Sequence, residues 1–210
     1  MFLKNLSLSA IFLILGQATV IQGSKGTVYT RWGHNDCPAS AKLVYNGVMV
    51  GKHYSDVGGG ADFLCLPFVP LYDESVVVSG QQTERGRLYH QEYHATTGPF
   101  ALQLYNDLPC AVCLNDLRSN TMFYPGRNDC PSGWELQYHG YMIGARYTSS
   151  TFDSVESVCV DHEGRVVPNT SGSVTGGYIM PVDGMCVSNS AIPCTHYTSD
   201  YELTCAICSL

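Results

Sequence analysis

The chain has 210 residues, 45% of them hydrophobic and only 14% charged, with a net charge of −7. That composition belongs to a globular chain and excludes disorder. The acidic balance, without a basic stripe, argues against a nucleic-acid partner.

Lys4 precedes an apolar run over 6–15 (LSLSAIFLIL), and small residues follow at Gly16, Ala18 and Gly23. That order is a secretory signal peptide, assigned to 1–23, and it predicts a secreted, extracellular protein. The run is shorter than the roughly 20 residues that cross a bilayer, and no later stretch approaches that length, so no membrane span is expected. All ten cysteines follow the leader, and an even count in an exported chain reads as a disulfide framework. Spacing alone leaves their pairing open.

A repeat organises the rest. Residues 33–54 (GHNDCPASAKLVYNGVMVGKHY) and 126–147 (GRNDCPSGWELQYHGYMIGARY) agree at 11 of 22 positions without a gap. Cys65 and Cys159 follow at nearly the same offset, and each copy closes on a CxxC, Cys110–Cys113 and Cys205–Cys208. The chain therefore reads as two homologous units, 26–115 and 119–210. Cys186 and Cys194 have no counterpart in the first.

Local pattern predicts strands. Residues 42–50 and 135–143 are rich in β-branched and aromatic types, and Asn46-Gly47 and His139-Gly140 predict a hairpin turn within each. Val76 to Val78 and Val166-Val167 are shorter strand candidates, and Gly58 to Gly60 reads as a turn or loop. With 21 Gly and 10 Pro, long helices have little room, so the expected fold is all-β.

The frame of Cys-Pro near the start of each unit, a Tyr-x-Gly segment, and a closing CAVC or CAIC resembles the C-terminal non-collagenous domain of type IV collagen. Cys110-Ala111-Val112-Cys113, followed by Cys130-Pro131-Ser132-Gly133-Trp134 and Gly140-Tyr141, carries the likeness. The TRWG…CP opening (Thr30 to Pro38) is more similar still to invertebrate short-chain collagen-like secreted proteins. The resemblance spans about 29–208. It implies two tandem β-rich subdomains and the pairing Cys37–Cys113, Cys65–Cys110, Cys130–Cys208 and Cys159–Cys205, with Cys186–Cys194 as a local bridge. It also implies assembly as trimers through exchanged β segments. A collagen has Gly at every third position, and no such run exists here, so the module is expected to act without a triple helix.

Catalytic chemistry finds little support. Both CxxC motifs read as structural disulfides rather than zinc or thiol-exchange sites. In HQEYH, Gln91 stands where a zinc-protease helix needs Glu, although on a strand His90, Glu92 and His94 would share one face. Solvated histidines are the simpler reading there, and Asp161-His162-Glu163 beside Gly164 reads as a turn. No G-x-S-x-G or lone reactive cysteine is present. No catalytic, cofactor or metal residue is assigned, and the protein is expected not to be an enzyme. Asn169-Thr170-Ser171 is a glycosylation sequon in a loop. Most of the 14 tyrosines are expected in cross-strand packing, the rest as an adhesive or sugar-stacking surface.

Two functions remain. One is a non-enzymatic extracellular matrix protein that associates with copies of itself or with other extracellular proteins. The alternative is a soluble glycan-binding or defence-related protein using the loops at 67–86 and 164–177.

Overall fold

A computed structural model describes residues 26–56, 62–73, 75, 86–146, 156–172, 176–186 and 192–210. The leader, residues 58–60 and 76–78, and parts of the loops at 67–86 and 164–177 lie outside these residues. The fold is all-β. Ten strands are described: β1 Thr27–Trp32, β2 Lys42–Gly51, β3 Leu64–Pro67, β4 Tyr89–Tyr93, β5 Pro109–Asn115, β6 Thr121–Pro125, β7 Glu135–Ala145, β8 Ser157–Asp161, β9 Gly177–Pro181 and β10 Thr204–Ser209. A 3-10 turn at Ala101–Gln103 is the only helical element among the described residues. No described helix is long and apolar enough to cross a membrane.

All ten strands belong to one sheet. In the first half, β2 pairs with β3, β4 and β5, and β5 pairs with β1. In the second, β7 pairs with β8, β9 and β10, and β10 pairs with β6. The pairing of the first five strands thus recurs in the last five. Two parallel contacts join the halves: β1 with β8 at Trp32–Val160, and β4 with β9 over Gln91–Tyr93 and Gly177–Ile179. Together with β7–β9 they close seven strands into a ring.

The two glycine turns expected inside β2 and β7 are not there. Both strands run straight through, and the glycines serve a different purpose. A Cβ at Gly47 would lie 1.9 Å from the Leu66 carbonyl oxygen, and one at Gly140 would lie 1.8 Å from the Val160 oxygen. The neighbouring strand crosses where a side chain would stand, so only glycine fits. Val166-Val167 is also not a strand. It belongs to an irregular segment whose Val167 N–H donates to the Asp107 carbonyl at 2.9 Å.

Two buried clusters make the core, and each draws on both halves. One gathers Trp32, Met49, Tyr93 and Leu108 with Ile143, Val160 and Ile179. The other gathers Tyr29, Ala111 and Cys113 with Tyr138, Cys159 and Cys205. The halves consequently pack as one body.

All ten cysteines are bonded, as Cys37–Cys113, Cys65–Cys110, Cys130–Cys208, Cys159–Cys205 and Cys186–Cys194. These are the five pairs that the resemblance implies. The two longest closures, of 76 and 78 residues, are each worth up to about 4.5 kcal/mol of unfolded-chain entropy.

Candidate functional site

Successive residues of β4 point to opposite faces, which puts His90 and Glu92 on the same side. An isolated bridge between Glu92 and Asp107 brings a second carboxylate alongside. His90 Nε2 lies 3.0 Å from Glu92 Oε1 and 3.8 Å from Asp107 Oδ1. Glu92 is fully buried, and neither its Oε2 nor Asp107 Oδ1 has a hydrogen-bond partner. Burial pushes the Asp107 carboxyl above its ordinary range; His90 opposes the rise and the Glu92 carboxylate adds to it. His94 does not join this group. β4 ends at Tyr93, and the His94 ring stacks on Tyr178 at 4.0 Å between centroids, with Tyr105 edge-on at 5.4 Å.

The second half repeats the acid pair. Asp183 bridges Glu202, as Glu92 bridges Asp107, and Pro181 holds the register of His90. Some burial, then the charges of Glu202 and Asp200, push Asp183 up.

A separate ionic network ties the halves together. The Arg31 guanidinium contacts Asp161 Oδ2 at 2.7 Å and Asp36 Oδ1 at 3.0 Å, and Arg165 reaches Asp36 Oδ2 at 2.9 Å. His34, buried, places Nδ1 3.1 Å from Asp36 Oδ1 and leaves Nε2 without a hydrogen bond. Burial, reinforced by Arg31, holds the His34 imidazole below its usual range against the pull of Asp161 and Asp36. A depressed histidine contributes stability above the unfolded value, about 6.5, and loses it as pH falls. The unfolding temperature is therefore expected to drop between pH 7 and pH 5, and the drop to shrink in His34→Asn. An unchanged profile in that variant, followed by thermal melts across the range, would remove His34 as the cause. Burial pushes Asp36 up, but its contacts with His34 and Arg165 together hold it low, so it loses its own contribution only at more acidic pH.

The strand edges differ between the halves. β8 is covered by β1, and its Val158 and Val160 are 7% and 0% exposed. Their counterparts in β3, Leu64 and Leu66, pair with β2 in the same register but are 50% and 40% exposed. The apolar surface continues through Phe68, Val69, Leu71 and Tyr72, all exposed. β6, the counterpart of β1, pairs only with β10 among the described strands.

The segment after β8 lies across the first half. Arg165 N–H donates to Gly33 O at 2.7 Å, Val167 N–H to Asp107 O, and Gly172 N–H to Tyr105 O at 3.3 Å. A Cβ at Gly33 would meet Val160 at 2.9 Å, whereas one at the matching Gly126 would meet only Tyr197, at 3.9 Å. Around Gly126 there is a cleft of about 450 Å³, lined by Arg127, Tyr197, Thr198, Tyr201 and Glu202. It lies where the first half receives Val160 and the segment behind it.

Asp161 to Gly164 form the expected turn, closed by the Gly164 N–H donating to Asp161 O at 2.9 Å. Asp161 also ends β8, buried against Arg31, while His162 stacks on His139 at 4.2 Å and Glu163 is exposed. Asn169 is exposed at φ 66°, in a left-handed turn position. The tyrosines divide: Tyr29, Tyr93, Tyr138 and Tyr178 are buried, whereas Tyr54, Tyr72 and Tyr201 are exposed. Asp107 was not singled out in the sequence, although an acid stands three residues before the first cysteine of the CxxC in both halves, Asp107 and Glu202. No protein-family model matches the chain.

Proposed function

We propose that this is a secreted, non-enzymatic structural protein that works by self-association, the second half of one copy docking on the first half of the next. One observation carries the reading. The chain already packs β8 and the segment after it against its own first half, while among the described residues the repeat-related surfaces, β3 with 68–72 and β6 with the Gly126 cleft, stand more open. A second copy offers each the surface that its counterpart has within the chain. Exposed apolar residues gathered on one strand and the segment after it mark an interaction site.

Pro125 stands in the place of Trp32, so the contact between copies would have one backbone donor fewer. Its stability would come chiefly from burying Leu64, Leu66 and the residues after them. Five disulfides suit an oxidising, extracellular setting. The resemblance to the type IV collagen C-terminal domain points the same way, toward assembly of the module.

The solution mass of the non-reduced protein, measured by light scattering over a dilution series, tests this. A discrete multiple of the chain mass is expected. A monomer up to roughly 100 μM, where a micromolar contact would be nearly saturated, would remove the proposal.

A further inference from the structure

We propose that His90, Glu92 and Asp107 form a binding site for a divalent metal ion of the zinc class. Two of the three residues come from β4 and Asp107 from just before β5, and the Glu92–Asp107 bridge fixes their approach. Their ligand atoms, one from each, all lie within 4.8 Å of one another.

Charge supports the assignment. Two carboxylates face one imidazole, and among the described residues the ion pairs of both carboxylates run to His90. A fully buried carboxylate oxygen without a hydrogen bond is costly, and Glu92 Oε2 is such an atom. It belongs to the carboxylate whose Oε1 meets His90, and the second acid, Asp107, also carries an unpartnered oxygen. A dication between them would neutralise both charges and occupy both orphaned oxygens. Asp107 and His90 are part-exposed, which leaves an entry path for the ion.

Donor type and spacing select the class. One imidazole nitrogen with two carboxylates suits zinc and its neighbours, whereas calcium takes six to eight oxygens. Bonds of about 2.1 Å in a tetrahedral site separate ligand atoms by roughly 3.4 Å. The separations from His90 Nε2, 3.0 Å to Glu92 Oε1 and 3.8 Å to Asp107 Oδ1, bracket that value.

The other candidate cluster lacks this character. His34, Asp161 and Glu163 also gather, but the Arg31 guanidinium already lies on Asp161 at 2.7 Å and repels a cation. In the second half, Pro181 replaces the histidine, leaving only an acid pair, Asp183 and Glu202, with Asp183 exposed.

The test is zinc binding to the EDTA-treated, disulfide-intact protein, by titration calorimetry with zinc chloride and by thermal melts with and without the ion. One equivalent is expected to bind, with a rise in melting temperature. Glu92→Gln and Asp107→Asn should each weaken binding at least tenfold and abolish that rise. His94→Ala, outside the cluster, should leave both unchanged. Glu92→Gln removes a buried charge, so its metal-free melting temperature should equal or exceed the parent's; Asp107→Asn provides the binding readout if Glu92→Gln does not fold. Absence of saturable zinc binding, equal binding in the folded variants, or a preference for calcium over zinc would overturn the proposal.

Discussion

A Leu66→Asp protein is expected to stay monomeric at concentrations where the parent assembles. Leu66 holds the register that Val160 holds in β8, and Val160 is completely buried by the contact between the halves. If a second copy covers β3 as β1 covers β8, the substitution puts an unpartnered carboxylate at the centre of that contact. Such burial costs several kcal/mol, and about 2.8 kcal/mol already weakens association a hundredfold. In the isolated chain Leu66 is part-exposed at a sheet edge, so folding should be little affected. Leu117→Asp, at an exposed site in the junction between the halves, serves as the control and should assemble like the parent. Light scattering of the three proteins side by side checks the result. Equal masses for Leu66→Asp and the parent would place the contact elsewhere.

Gly140→Ala is expected to destabilise the fold by about 3 kcal/mol or more, among the larger effects of a single methyl group. The added Cβ would meet Val160 O at 1.8 Å, with Val160 C and His162 N at 2.7 Å. All three are backbone atoms, and β8 has little room to retreat. β1 bounds it on the far side at Trp32–Val160, a contact without a counterpart at β3 among the described strands, although Cys65–Cys110 ties β3 to β5 as Cys159–Cys205 ties β8 to β10. The equivalent change at Gly47 makes a similar clash with Leu66 O at 1.9 Å. There β3 is an edge strand and can shift outward, so Gly47→Ala should cost clearly less in the isolated chain. Denaturant melts of both variants measure the difference. Equal costs would show that the outer contact of β8 does not hold it in place.

These two glycines also show how far local sequence reading reaches. Asn46-Gly47 between apolar runs has the chemistry of a hairpin turn, yet the glycine is required because a neighbouring strand passes too close for a side chain. Nothing local separates the two cases, since the carbonyl that excludes the side chain comes from Leu66 in one half and Val160 in the other. The His90 cluster behaves likewise. Strand alternation places His90 and Glu92 together, and it also places His94 there. The end of β4 after Tyr93 releases His94 to Tyr178, and Asp107 arrives through an isolated bridge 15 positions beyond Glu92. His34 carries no signal in the sequence, because its importance depends on Arg31, Asp36 and Asp161 meeting across the two halves.

The all-β class is legible in the β-branched and aromatic runs broken by Gly and Pro. The repeat is legible too, because duplicated residues at a nearly constant offset need no coordinates. How the halves meet follows only from the fold. The two halves share similar sequence frames and the same strand pairing, yet β8 is buried and β3 is exposed. That difference arises because a single chain can satisfy the contact between halves only once, leaving the repeat-related surfaces open.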